Sequence, residues 1–118
     1  MQADDVLVPA VIAGLRQAQD ALGNPALIRQ LTSLFGDRTP GKMDRIRLAL
    51  AEGDAATVRE VAHALKSNCA MLGAARMADA CAMMEEAAAR GDLAASGEAF
   101  REAEQQLPLV LTALSALQ

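Results

Sequence analysis

The chain has 118 residues, of which 53% are hydrophobic, and its length is that of a single domain spanning residues 1–118. Tryptophan and tyrosine are absent and phenylalanine occurs twice, so the core must be built from Ala, Leu, Val and Met. Most of these residues favour helices, which predicts an all-α protein. The net charge of −4, with no basic stripe and no aromatic stacking surface, argues against nucleic-acid binding.

Glycine and proline divide the first half of the chain into two helical segments. The spacing predicts a short amphipathic helix over Val8–Leu22, which ends at Gly23-Asn24-Pro25. A second helical pattern starts near Pro25 and ends at Glu52. Leu27, Leu31, Leu34 and Phe35 share one side of it, and the apolar spacing resumes after Pro40 with Met43, Ile46 and Leu50. Within it, the stretch FGDRTPGKM contains Pro40 and two glycines, and propensity alone favours a break from Gly36 to Gly41 over one bent helix.

The second half of the chain predicts three more helices, separated by turns at Gly53-Asp54 and near Gly73 and Gly91. Glycine suits the end of one helix and aspartate the start of the next. The predicted bounds are Ala55–Met71, Ala74–Arg90 and Leu93–Leu117, with a kink at Pro108 in the last. Four long amphipathic helices joined by short turns predict an antiparallel four-helix bundle, capped by the short first helix.

The N-terminus and the two cysteines indicate the cellular compartment of the protein. MQADDVLVPA has no positively charged segment before an apolar run, so no signal peptide is predicted. The longest nearly apolar stretch, residues 107–117, is too short to cross a bilayer. Cys69 and Cys81 fall on predicted apolar faces, where we expect buried thiols and not a disulfide. These features predict a cytoplasmic domain, either free or cut from a longer chain.

The stretch HALKSN contains His63, the only histidine in the chain. A helix advances about 100° per residue, which groups Val58, Val61, Ala62, Cys69 and Leu72 around Leu65 as one buried stripe. His63 points about 160° away from Leu65. The helical wheel therefore places the imidazole on the exposed face and excludes a core histidine.

The residues around His63 on this face are cationic or small. Arg59 and Lys66 lie about one turn to either side, an arrangement that favours an anion near the imidazole. Ala56, Ser67 and Ala70 offer little steric obstruction, whereas an ordinary solvated helix would carry longer side chains. The pattern indicates a surface that another protein approaches closely.

Three kinds of chemistry are open to an exposed His63. Glu60-Val61-Ala62-His63 is the Glu-x-x-His step of di-iron bundles, but those sites need two such steps facing inward. Acid–base or nucleophilic catalysis would need a pocket, a catalytic serine or a reactive cysteine, and the sequence indicates none of these. A phosphoryl carrier needs only an accessible imidazole nitrogen, because that nitrogen is a good nucleophile toward phosphorus.

The segment from Ala62 to Ala74, AHALKSNCAMLGA, closely resembles the signature of histidine-containing phosphotransfer (HPt) domains. The resemblance extends upstream through LFGDRTPGKMDRIRLALAEGD and downstream through ACAMMEEAAARGD, and so covers almost the whole chain. It implies an antiparallel four-helix bundle with an exposed phosphorylatable histidine on the second bundle helix. It also implies that the helix containing Pro40 bends and does not break.

The resemblance implies a role for each residue of the candidate site. His63 resembles the phospho-acceptor, which reacts through Nε2, and Lys66 would neutralise the phosphoryl oxygens. Ser67 stands where the family has a small residue that leaves room for the phosphoryl group. Glu85 matches a Glu or Gln that accepts a hydrogen bond from the imidazole Nδ1–H, although a solvated surface carboxylate is the open alternative. The departures are Asn68 and Cys69, which replace a small Ser or Ala and put packing beneath the site in doubt.

The resemblance further implies a carrier and not an autonomous enzyme. The chain would have no cofactor of its own, because the partner receiver domain supplies Mg²⁺ and the phospho-aspartate. Its partners would be response-regulator receiver domains and a hybrid sensor histidine kinase, docking over Ala56, Arg59 and Ala70 on a monomer. It would then be cytoplasmic, either free or as the C-terminal domain of a membrane sensor kinase. The alternative is a phosphorylation-independent module that sequesters receiver domains.

Overall fold

The structure, a computed structural model, describes residues 6–117 and contains helices without any strand in that part of the chain. The prediction of an all-α protein is confirmed. The helices are α1 Pro9–Ala21, α2 Leu27–Glu52, α3 Ala55–Met71, α4 Ala75–Ala89 and α5 Leu93–Ser115. Each bound lies within two residues of its prediction, and α3 matches at both ends. Residues 1–5, on which the prediction of no signal peptide partly depends, lie outside the described range.

The turns between helices are formed by the residues that the sequence indicates. Gly53 ends α2 with a left-handed φ of 72°, a conformation that costs glycine little. Asp54 then begins α3, where its carboxylate accepts hydrogen bonds from the Thr57 amide at 3.1 Å and the Thr57 hydroxyl at 2.6 Å. Asp92 caps α5 in the same way by accepting from the Ala95 amide at 3.0 Å.

Helix α2 continues without interruption through Pro40, so the break that propensity favoured between Gly36 and Gly41 is wrong. An internal proline removes one backbone hydrogen bond and costs about 3 kcal/mol in a helix interior. Burial offsets this cost, because Phe35, Thr39 and Met43 fall on one face and are each at most 5% exposed. Helix α5 likewise continues through Pro108.

The core lies between α2, α3, α4 and α5, and each of these helices packs against the next one along the chain. Helix α3 packs closely against α4 and α4 against α5, while α2 contacts both α3 and α5. The predicted stripe of α3 is buried throughout, with Leu65 fully inaccessible. Leu34 is the exception on α2, because it was grouped with the apolar side and is 47% exposed. No helix in residues 6–117 is both long enough and apolar enough to span a membrane.

Helix α1 is attached to the rest of the fold at the turn between α3 and α4. The Val8 amide donates a hydrogen bond to the Gly73 carbonyl at 2.8 Å. Gly73 has a φ of +76°, and a Cβ added there would lie 3.1 Å from Val11 Cβ and 3.2 Å from Val8 N. Glycine is therefore required at this position both by the backbone conformation and by the approach of α1.

Candidate functional site

His63 projects from the exposed face of α3, opposite the core. Its side chain is 64% exposed, whereas Ala62 and Leu65, its neighbours on the buried stripe, are both 0% exposed. The orientation predicted by the helical wheel is therefore confirmed. An imidazole this accessible can react with a group carried by another protein.

The imidazole is held by Glu85, which reaches it from α4. His63 Nδ1 lies 2.7 Å from Glu85 Oε2. A carboxylate can only accept a hydrogen bond, so the proton of this bond belongs to Nδ1. In the neutral ring this tautomer leaves the Nε2 lone pair free and facing solvent, as a nucleophile requires. The alternative in which Glu85 is a freely solvated carboxylate does not describe this geometry.

Glu85 also binds the cation one turn further along α3. Lys66 Nζ lies 2.7 Å from Glu85 Oε1, and the Glu85 side chain is 18% exposed. The hydrogen bond from Lys66 lowers the pKa of Glu85, and the bond from His63 lowers it further, against the opposing effect of burial. Glu85 is thus ionised at neutral pH, and its two oxygens hold two different side chains of α3.

The small residues predicted on this face lie at its surface. Ser67 is exposed, and its hydroxyl donates to the His63 backbone carbonyl at 3.3 Å, so it makes no bond to the imidazole. Ala70 is exposed one turn beyond Ser67, and Ala56 is exposed two turns before His63. The roles predicted for these residues in transfer and docking stay predictions.

A shallow depression lies beside the imidazole, on the side toward the start of α3. It is lined by Ala56, Arg59, Glu60, His63 and Glu85. Lys66 does not line it, and its ammonium lies against Glu85. Arg59 is a predicted docking residue, whereas no role at this surface was predicted for Glu60, although its i−3 spacing from His63 indicates their proximity.

The two cysteines are buried free thiols, as predicted. A hydrogen bond with Cys81 and burial together raise the pKa of the Cys69 thiol far above its ordinary value. Cys69 is therefore protonated and packs as a small apolar residue beneath the site, which accommodates the departure from the family pattern at this position. Within residues 6–117 no group of three or more His, Cys, Asp or Glu side chains is placed to hold a metal ion.

The chain is similar to known proteins in sequence over most of its length and in fold. The sequence model of the Hpt domain family matches residues 30–117. Among solved structures, histidine-containing phosphotransfer protein B (HptB) from Pseudomonas aeruginosa PAO1 is similar, with a TM-score of 0.85 and 24% identity. That similarity covers 94% of this chain and 92% of the other. The comparison with curated proteins found no match.

Proposed function

The chain belongs to the Hpt domain family, which acts by histidine phosphotransfer in phosphorelays, and we propose that His63 is the residue it phosphorylates. The observation that carries this proposal is the imidazole geometry. His63 is exposed, Glu85 fixes its Nδ1–H, and Nε2 is left free. We further propose that α2, α3, α4 and α5 form an antiparallel four-helix bundle capped by α1, which supports the site from below.

The proposed reaction moves a phosphoryl group between a receiver aspartate and His63 Nε2. Nε2 donates its lone pair to phosphorus, the P–O bond of the aspartyl phosphate breaks, and the aspartate leaves as a carboxylate. The ring keeps its Nδ1 proton and becomes a phosphorylated imidazolium, whose positive charge faces the Glu85 carboxylate at Nδ1. Transfer in the opposite direction regenerates the neutral imidazole, so the relay is reversible.

The chain contributes a nucleophile and its orientation, and the partner contributes the aspartate and the metal ion. In-line phosphoryl transfer requires positioning and charge neutralisation, which a receiver domain supplies with its Mg²⁺. This division of labour makes the protein a phosphocarrier that works with a receiver domain and a hybrid histidine kinase. We propose that it does so as a monomer in the cytoplasm.

The receiver domain docks on the face that surrounds His63. Ala56, Arg59 and Ala70 lie at the surface of this face, and the small side chains permit close approach. On the side toward α2, Leu34 and Met71 are 47% and 51% exposed and border an apolar depression. Exposed apolar side chains on α2 and α3 suit a partner that binds transiently and then leaves.

The proposal is tested by a phosphotransfer screen against the receiver domains of the source organism. Incubation with a phosphorylated cognate receiver should label the protein with an acid-labile, base-stable phosphoryl group. His63→Gln should remove the label and leave the helical content unchanged, because the side chain is exposed. Persistent labelling of that variant would refute the assignment. Receiver binding without labelling of the wild type would favour the sequestering module.

A further inference from the structure

The open space beside the imidazole is bordered by Arg59 and not by Lys66. Side chains on an α-helix lean toward its N-terminus, so the ring of His63 covers the preceding turn, which contains Arg59 and Glu60. The depression next to the ring is lined by these residues together with Ala56 and Glu85. A group attached to Nε2 has room on this side.

The charges around this space leave Arg59 as the cation available to a phosphoryl group. Lys66 is bound to Glu85 at 2.7 Å, so its charge is balanced by a carboxylate before phosphorylation occurs. Among the side chains that line the depression, Arg59 alone is cationic, and Glu60 and Glu85 are acidic. Arg59 makes no ion pair within residues 6–117. A phosphoryl group adds a charge of about −1.5 to −2, which would be repelled by the two carboxylates unless a cation met it.

We infer that Arg59 binds the phosphoryl oxygens of the phosphorylated His63, while Lys66 is a positioning residue that acts through Glu85. A guanidinium presents several N–H donors in one plane and can bond two oxygens of one phosphoryl group. Ala56, one turn earlier, has a small side chain and lines the same depression. This inference rests on the proposed function, and it replaces the role that the resemblance implied for Lys66.

The test uses the phosphorylated protein without a receiver, so that docking cannot contribute. Phosphoramidate can phosphorylate the histidine: Nε2 forms a bond to phosphorus, the P–NH₃⁺ bond breaks, and ammonia leaves. The pKa of the phosphoryl group is then measured by ³¹P NMR titration of the intact protein. A nearby cation favours the dianion, so Arg59→Gln should raise this pKa by about half a unit, as expected for an exposed ion pair.

Matched variants separate a contact from a general change in charge. Arg101→Gln removes one positive charge from the exposed surface of α5, which does not carry the site, and should leave the phosphoryl pKa unchanged. Glu60→Gln should lower the pKa, because it removes a carboxylate that borders the same depression. Lys66→Gln should change it less than Arg59→Gln does, and Arg59→Lys should restore most of the wild-type value.

Each outcome bears on one of the two proposals. A phosphoryl pKa that is the same in wild type and Arg59→Gln would overturn the inference, and so would a shift matched by Arg101→Gln. The inference would also fail if Arg59→Gln slowed transfer from a receiver while leaving the phosphoryl pKa unchanged, because Arg59 would then act only in docking. Labelling that survives His63→Gln would instead overturn the proposed function.

Discussion

Leu65 and His63 lie two residues apart on α3, on opposite faces, and their replacement should separate stability from function. Leu65 is fully buried, so Leu65→Ala removes three carbon atoms from the core. At about 0.8 kcal/mol per carbon the lost transfer free energy is about 2.4 kcal/mol, and the remaining cavity extends the range to roughly 2–5 kcal/mol. His63→Gln changes an exposed side chain and should alter the free energy of unfolding by about 0.5 kcal/mol or less.

The assay is thermal unfolding followed by circular dichroism, beside a phosphotransfer assay at a temperature where both variants are folded. For a domain of this size each kcal/mol lowers Tm by roughly 4 °C, so Leu65→Ala should melt about 8–20 °C below wild type. It should still accept a phosphoryl group, whereas His63→Gln should melt like wild type and accept none. Equal melting shifts in the two variants would contradict the assignment of the two faces of α3.

Three further substitutions test the turn, the ion pairs and the docking face. Gly73→Ala should destabilise the fold more than Gly91→Ala in chemical denaturation, because both have a positive φ but only at Gly73 would a Cβ approach α1. Equal losses would show that the contact with α1 contributes nothing. The lowered pKa of Glu85 stabilises the fold at pH values above the ordinary glutamate pKa of about 4.3, and this contribution disappears as the pH falls through the lowered pKa. The Tm difference between wild type and Glu85→Gln should therefore be present at pH 7 and vanish in acid; a constant difference would exclude this linkage. Ser67→Gln should slow transfer from a receiver at least about tenfold, equivalent to roughly 1.4 kcal/mol, with no effect from Ala94→Gln on α5, and equal rates in both would remove Ser67 from the docking face.

Helix α3 could be predicted from the sequence in full because local rules determine it. Gly53 ends one helix and Asp54 starts the next. The apolar residues around Leu65 are spaced so that they all lie on one face of a helix. Once that face is buried, the angle of about 160° between Leu65 and His63 around the helix places His63 at the surface. The position of the reactive residue was therefore available from the periodicity of its own helix.

Helix α2 shows where local rules are insufficient. Propensity at Pro40 and its neighbouring glycines favours a break, yet tertiary contacts at Phe35 and Met43 keep the helix continuous. The same contacts bury Thr32 and Thr39 while Leu34 is left in solvent. Hydropathy does not reveal which helical face meets a neighbour when apolar residues lie on more than one side.

The site was predictable in its residues and, through the family resemblance, in the bond between His63 Nδ1 and Glu85, but not in the bond between Lys66 and Glu85. Spacing placed Lys66 one turn from His63 and so suggested that both serve the same anion. In the unphosphorylated protein the ammonium contacts Glu85, 19 positions away, because α4 packs against α3 at that level. Which of Arg59 and Lys66 faces the open space depends on this packing, and a helical wheel contains no information about it.

The joining of α3 to α4 through Glu85 has a consequence for how the site forms during folding. Its bonds span only 19 and 22 positions, so little chain entropy is lost in closing the intervening loop. Contacts of such low sequence separation form rapidly, and the imidazole acquires its orientation within a single helical hairpin. The remaining helices cover the apolar underside of that hairpin, and within residues 6–117 they make none of the hydrogen bonds that hold the imidazole and Glu85.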